Sequence, residues 1–136
     1  MDFNTDLNYI GIIAATLVAF VIGGAWYSPI LFAKPWMREN GFTEDDHQGN
    51  LIRMFGGSFV MLLIASYVLS LVIGDDASLF EGLRIGLTVG AAFIAASFAV
   101  TYLFEKKSPT LFVINAGYHV VTFTVMGTII GATSTL

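Results

Sequence analysis

The residues that could do chemistry in this chain lie mainly in its last apolar segment. Asn115, His119 and Thr122 are separated by four and three residues, so a helix would place them on one face. Polar groups inside a membrane are costly, and we treat them as functional candidates. His119 is the only residue of the uncharged segments that titrates near neutral pH.

Three interpretations of His119 are open. A neutral imidazole would hydrogen-bond to Asn115, or to a Ser, Thr or Tyr of a neighbouring helix, and so lock the helices together. A proton-sensitive imidazole would instead line a transport path. As a third alternative, His119 would be an axial ligand of a metal or tetrapyrrole, with Ala116 and Gly117 leaving room for a flat ring. One chain supplies a single ligand of this kind, because His47 is predicted to lie in water.

Aromatic residues cluster after the first apolar segment. Phe32, Trp36 and Phe42 follow Trp26 and Tyr27 within a short stretch, which is typical of the membrane–water interface. The alternative is that Trp26 and Trp36 stack on a ligand, and we keep Trp26 and Tyr27 as candidates for a binding site or path.

Two charged clusters invite a functional interpretation. The sequence at 44–47 contains three acids and a histidine, but consecutive helical residues point in different directions, so we predict a solvated helix start rather than a metal site. Arg84 and Glu81, with the two acids at 75–76, are predicted to form an ion cluster at the membrane surface rather than a substrate clamp.

Missing residue types exclude several classes of protein. The chain has no cysteine, which excludes disulfides, iron–sulfur clusters and thiolate catalysis. A net charge of −4 without a basic patch argues against nucleic acid as a partner. The apolar segments contain no Lys for a retinal Schiff base and no Asp or Glu for a proton-coupled exporter. We therefore predict no enzyme, no catalytic residue, no metal and no cofactor.

Four uncharged segments must position the polar residues. They cover 7–33, 54–74, 85–104 and 108–136, and each is long enough to span a bilayer as a helix of about 18 or more residues. The mean hydropathy of +0.78 agrees. We predict one all-α domain over 1–136, a compact bundle of four transmembrane helices at about 7–28, 51–73, 82–104 and 109–132.

Residues that favour helix ends flank these segments. Asp6 is predicted to cap the first helix, and Thr43, followed by acids, to start the second. Gly74 is expected to end the second helix. The third is predicted to start with a capping box at Ser78, and the fourth with Ser108 before a proline.

Small residues recur at helical spacing and would let helix backbones approach closely. The stripes are Gly11, Ala15, Ala19 and Gly23; Gly82, Gly86 and Gly90, continued by Ser97 and Thr101; and Gly127 with Gly131. We expect most stripes to pack within the chain and at least one to be left over, which predicts a homo-oligomer.

The distribution of Lys and Arg predicts the orientation in the membrane. Five cations flank one end of the predicted helices, and a single cation, Arg84, flanks the other. By the positive-inside rule, the first end lies in the cytoplasm and both termini lie outside. The five cations are Lys34, Arg38, Arg53, Lys106 and Lys107.

Two stretches resemble a known family. Residues 23–37 read G-G-A-W-Y-S-P-I-L-F-A-K-P-W-M, and residues 112–131 read F-V-I-N-A-G-Y-H-V-V-T-F-T-V-M-G-T-I-I-G. They resemble the two ends of the small bacterial membrane proteins catalogued as domain of unknown function 1761. The resemblance implies an integral protein of the bacterial cytoplasmic membrane and supplies no activity. Its signature residues in this chain are Trp26, Tyr27, Ser28, Pro29, Phe32, Trp36, Asn115, Gly117, Tyr118 and His119.

Two classes of function follow. The first is a non-enzymatic, oligomeric module of the bacterial inner membrane, whose partners are the lipid bilayer and further copies of itself. The alternative is a small permease or channel with a polar site around Asn115 and His119, whose small-molecule ligand the sequence does not specify. Metal or tetrapyrrole ligation by His119 is the second alternative.

Overall fold

The computed structural model describes residues 3, 6–43 and 49–136. Within them the chain forms five helices and no strand. The helices are α1 (Tyr9–Trp26), α2 (Ala33–Asn40), α3 (Leu51–Ile73), α4 (Leu79–Glu105) and α5 (Pro109–Thr133). All except α2 are long and apolar enough to cross a membrane. The prediction of an all-helical chain with four such helices is confirmed.

Local sequence signals set several helix ends. The Ser78 hydroxyl accepts a hydrogen bond from the Glu81 N–H at 3.1 Å, and the Glu81 carboxylate accepts from the Ser78 N–H at 2.7 Å. This capping box starts α4 as predicted. Ser108 caps α5 ahead of a first-turn proline, and α3 ends at Gly74 with φ 80°, which also agrees with the sequence.

The prediction that Asp6 caps α1 is wrong, because Asn8 occupies that position. The Asn8 side-chain oxygen accepts from the Gly11 N–H at 2.9 Å. Its amide nitrogen donates to the Ile130 carbonyl at 3.1 Å and to the Thr133 hydroxyl at 3.0 Å. An amide both accepts and donates, so Asn8 caps α1 and also ties it to the end of α5, which an ionised carboxylate cannot do.

The connection between α1 and α3 differs from the sequence prediction. It contains the helix α2, which was not predicted, and which ends at Gly41 with φ 73°. Thr43 is not helical, and the predicted acidic helix start at 44–47 falls within 44–48, outside the described residues. α3 begins at Leu51, where the Asn50 side chain accepts hydrogen bonds from two backbone N–H groups.

Glycines bring α4 and α5 into backbone contact. A Cβ added to Gly82 would collide with the Gly127 carbonyl and lie 2.9 Å from Gly131 Cα. One added to Gly86 would collide with the Phe123 carbonyl, and one added to Gly90 would lie 3.0 Å from Val120 Cα. The absence of side chains at these positions therefore allows the contact.

The small residues of α1 also face inwards, against α5. A Cβ added to Gly11 would collide with the Thr133 side chain, and one added to Gly23 would lie 3.0 Å from the Tyr118 hydroxyl. Between these two contacts, Ala15 and Ala19 are fully buried. They belong to an apolar core formed by Ala15, Ala19, Leu69, Ile73, Met126 and Ile130.

The glycines and alanines of all three stripes thus pack within the chain. The expectation that one stripe would be left over for a second copy is wrong for these positions. The reason is geometric: α5 runs between α1 and α4, so its own small residues and the stripes of both neighbours close on one another.

The stripe of α4 does not continue through Ser97 and Thr101, as the sequence predicted. Both residues are exposed, and Phe98 and Tyr102 face α5 instead. The cause is a π-helical segment at Val89–Ala95. A π-turn accommodates one additional residue, and each residue of an α-helix turns the chain by about 100°. After the π-helical segment, the residues that face α5 are therefore one position later in the sequence than a regular helix would place them.

Candidate functional site

Asn115 connects three parts of the chain by hydrogen bonds. The Tyr27 hydroxyl donates to Asn115 Oδ1 at 2.7 Å, and Asn115 Nδ2 donates to the Tyr102 hydroxyl at 2.7 Å. Tyr27 directly follows α1, Tyr102 lies on α4 and Asn115 lies on α5. A single amide therefore ties the end of α1 to two long helices.

Trp26 is held by a second contact with α5. Its indole Nε1 donates to the Ile114 carbonyl at 2.9 Å. The ring packs on Phe32 at a centroid distance of 4.8 Å and on Tyr118 at 6.4 Å. A Cβ added to Gly117 would lie 3.4 Å from the indole, so this glycine leaves room for the ring.

Further rings extend this arrangement to α2. Tyr27 packs edge-on against Trp36 at 5.8 Å and against Tyr118 at 5.5 Å. Trp36 in turn contacts Phe42 at 5.4 Å. We call this group the aromatic–amide cluster; its members are Trp26, Tyr27, Trp36, Tyr102, Asn115 and Tyr118. The cluster fixes α2 and the end of α1 against α4 and α5.

His119 lies beside the cluster, with its ring between two others. The imidazole stacks on Phe98 with centroids 5.1 Å apart and planes at 29°, and it contacts Tyr118 at 4.9 Å. Among the described residues it has no hydrogen-bond partner. The described residues therefore show no hydrogen bond from His119 to Asn115, or to a Ser, Thr or Tyr of a neighbouring helix, as the first interpretation required; the Asn115 amide is bonded to two tyrosines instead.

Thr122 lies one turn beyond Tyr118 on α5 and has that tyrosine as a polar neighbour. It is fully buried, and its hydroxyl is the only such side-chain group without a hydrogen-bond partner in the described chain. Neighbouring threonines of α5 differ, because Thr124 and Thr128 each donate to a carbonyl four residues earlier at 2.7 Å. The predicted face is thus divided: Asn115 is hydrogen-bonded, His119 is stacked and Thr122 is enclosed.

Sequence reasoning missed Phe98 and Tyr102. They are four residues apart on α4 and contact each other edge-on at 5.6 Å. This aromatic pair at helical spacing was the available signal. The pair could not be predicted to contact α5, because a regular helix places it about 100° from the glycine face of α4. The π-helical segment is needed to bring the two faces together.

The charged residues predicted to form an ion cluster at the opposite end of α4 line one groove there, without a direct ion pair among the described residues. The Glu81 carboxylate is engaged by the Ser78 N–H, and Arg84 forms no ion pair with any described residue. No group of three His, Asp or Glu side chains suited to a metal ion occurs in the described ranges, and the segment 44–47 lies outside them.

The helices and the cluster define the class of protein. It is an all-helical protein with four helices able to cross a membrane, closed at one end by the aromatic–amide cluster. The chain belongs to the family described as "Protein of unknown function (DUF1761)", whose model matches residues 10–131. This confirms the family resemblance. Comparison with the curated proteins and with the solved structures found no match.

Proposed function

We propose that this chain is a non-enzymatic integral protein of the bacterial cytoplasmic membrane, in which the aromatic–amide cluster holds the helices in one arrangement. The observation that supports the proposal is the pairing of Asn115 with Tyr27 and Tyr102. These bonds occupy the amide oxygen and one amide N–H, so the most polar side chain of α5 is used to join helices rather than to face a ligand.

The surroundings of His119 favour this proposal over a permease. A transport path needs a space that reaches the polar group, whereas Phe98 and Tyr118 lie against the imidazole ring. An apolar surface groove of about 430 Å³ lies next to Trp26 and Gly117, and His119 does not line it.

Liposomes distinguish a structural cluster from a path. The wild type and a His119→Ala variant are reconstituted into liposomes. A membrane potential is imposed, and the resulting proton and small-ion fluxes are followed with a pH-sensitive dye. The proposal predicts that both behave like protein-free liposomes. The matched control is Ser97→Ala, which changes an exposed residue of α4. A flux that the wild type supports and His119→Ala abolishes would establish the permease instead.

The proposal includes an orientation with both termini outside. It is supported by the five cations near the aromatic–amide cluster and the single Arg84 near the other end. Because the chain has no cysteine, Glu105→Cys and Thr135→Cys report on the two ends separately. A membrane-impermeant maleimide should label Thr135→Cys in intact spheroplasts and Glu105→Cys only after lysis; the reverse pattern would contradict the orientation.

Self-association also belongs to the proposal, through the outer face of α3. No other described residue places an atom within 4 Å of a Cβ added to Gly56 or Gly57, so a second helix can approach them closely. Light scattering in detergent should give a multiple of the 14.7 kDa chain mass, reduced by Gly57→Leu. The control is Gly24→Leu, an equally open position on α1. A wild-type chain that is monomeric in mild detergent and after cross-linking in membranes would contradict self-association.

A further inference from the structure

A groove between the end of α3 and the start of α4 has one charged and one apolar part. Its volume is about 540 Å³. The charged part is lined by Asp75, Asp76, Glu81 and Arg84. The apolar part continues along α4 and is lined by Val72, Ile85, Val89 and Phe93. A groove of this kind matches an amphiphile with a charged head and an apolar chain.

The turn that carries the acids is fixed in place. Gly74 with φ 80° and Asp76 with φ 60° reverse the chain between the helices. The Ser134 hydroxyl, beyond the end of α5, donates to the Ala77 carbonyl and holds the turn against the bundle. The carboxylates of Asp75 and Asp76 are exposed at this position and line the groove.

Arg84 supplies the opposite charge. It is exposed and forms no ion pair with any described residue; it interacts with the Glu81 carboxylate only at longer range, and the capping box holds that carboxylate. Arg84 directly precedes the uncharged segment 85–104, which as a helix is about 30 Å long and matches the hydrocarbon core of a bilayer. A membrane position of this segment therefore puts Arg84 at the boundary between headgroups and hydrocarbon. A guanidinium there is suited to bind phosphate oxygens in pairs.

The apolar part of the groove has the length of one leaflet. From Arg84 to Phe93 the helix rises about 13 Å, and half of a bilayer's hydrocarbon core is about 15 Å. Phe93, which is 65% exposed, lies at the far end, inside the π-helical segment. The groove therefore accommodates a chain that begins at Arg84 and extends towards the middle of the membrane.

We propose that this groove binds a phospholipid whose headgroup carries both a phosphate and a primary ammonium, as in phosphatidylethanolamine. Arg84 binds the phosphate, Asp75 and Asp76 bind the ammonium, and an acyl chain lies between α3 and α4. Both signs of charge at the head of the groove favour a zwitterionic lipid over an anionic one. The inference rests on the membrane location in the proposed function, but not on the role of the aromatic–amide cluster.

Native mass spectrometry of the detergent-solubilised chain tests the site. Phosphatidylethanolamine, phosphatidylglycerol and phosphatidylcholine with identical acyl chains are titrated separately. Phosphatidylethanolamine should bind most tightly, because phosphatidylglycerol lacks the ammonium and phosphatidylcholine has no ammonium N–H to donate. Arg84→Gln should weaken its binding about tenfold, the effect expected for a charge-assisted contact. The Asp75→Asn, Asp76→Asn double variant should remove the preference over phosphatidylcholine.

The matched control is Lys106→Gln, which removes a cation at the opposite end of α4 and should leave lipid binding unchanged. Equal binding of the three lipids to the wild type would overturn the proposal without any variant having to fold. Undiminished binding of phosphatidylethanolamine to Arg84→Gln would also overturn it. Fluxes and lipid binding are measured on separate samples. A wild-type chain without the headgroup preference would therefore refute this site and leave the proposed function standing.

Discussion

The contact between α4 and α5 is built differently on the two sides of the π-helical segment. Before it, Gly82 and Gly86 face Gly127 with no side chain between the backbones. After it, Tyr102 reaches Asn115 through a hydrogen bond, and Phe98 stacks on a ring. The same two helices are thus joined by close backbone contact before the π-helical segment and by large side chains after it.

This difference shows what each half tolerates. The glycine half depends on empty space, so any added side chain meets backbone that cannot move out of the way. The cluster half depends on a few polar and ring contacts, each of which contributes modestly in a membrane. Adding a side chain in the glycine half should therefore lower the free energy of unfolding most. Changing the helix register or removing single groups in the cluster half should lower it by a smaller, measurable amount.

The largest effect is expected from Gly82→Leu. The new side chain would collide with the Gly127 carbonyl, and we expect the free energy of unfolding to fall by about 3 kcal/mol, the upper end of the usual range for an overpacked site. Unfolding by SDS in mixed micelles measures it. Gly24→Leu is the control and should be close to neutral, because a Cβ added there has no neighbour within 4 Å in the described ranges. Equal losses in both variants would remove the close-packing account.

A smaller effect is expected when the register of α4 is changed after the π-helical segment. Deleting Val100 should rotate Tyr102 by about 100° away from Asn115 and cost about 2 kcal/mol in lost hydrogen bond and ring contacts. Deleting Ala92, inside the π-helical segment, should instead convert it to a regular helix and keep both faces on α5. If the Ala92 deletion destabilises the chain as much as the Val100 deletion, the π-helical segment does not set the register.

Removing the central amide should cost less. Asn115→Ala eliminates one hydrogen bond to α4 and one to the residue that follows α1; such bonds average well under 1 kcal/mol each in membranes, so we expect a loss of about 1 kcal/mol. A double-mutant cycle with Tyr102→Phe isolates one of the two bonds. Additive losses in the cycle would show that Asn115 and Tyr102 do not interact.

The smallest effect is expected at Thr122. Its buried hydroxyl has no partner in good hydrogen-bonding geometry among the described residues, and Tyr118 is only a polar neighbour, so Thr122→Val should be neutral or slightly stabilising. The comparison is Thr16→Val: that hydroxyl donates to the Ile12 carbonyl at 2.7 Å and lies 3.0 Å from the Ser66 hydroxyl. In detergent, Thr16→Val should unfold at a lower temperature than Thr122→Val. The opposite order would contradict the assignment of Thr16, and not Thr122, as the hydrogen-bonded threonine.

Much of the fold could be predicted from the sequence because its causes are local. The lengths of the uncharged segments indicate the four helices, and Ser78 and Ser108 indicate where two of them begin. The inward-facing glycines were also visible as a pattern. The role of Asn8 was missed because its amide is bonded to residues of α5, far away in the chain.

The candidate site could be predicted only in part. Asn115, Trp26 and Tyr27 were candidates for a binding site or path because polar and aromatic groups near apolar segments are uncommon and costly, and the structure brings them together. Tyr102 and Phe98 were not assigned, since their position depends on one additional residue in a helical turn, which leaves no compositional signal. The exposure of Ser97 has the same cause.

Oxidative cross-linking tests most directly whether the π-helical segment turns Phe98 and Tyr102 onto α5. The natural chain has no cysteine, so paired substitutions can be compared without background. We predict that Phe98→Cys with His119→Cys forms a disulfide in membranes, and that Ser97→Cys with His119→Cys does so much more slowly. Equal or faster cross-linking of the Ser97→Cys pair would show that α4 keeps a regular register and that the aromatic–amide cluster is not assembled in this way.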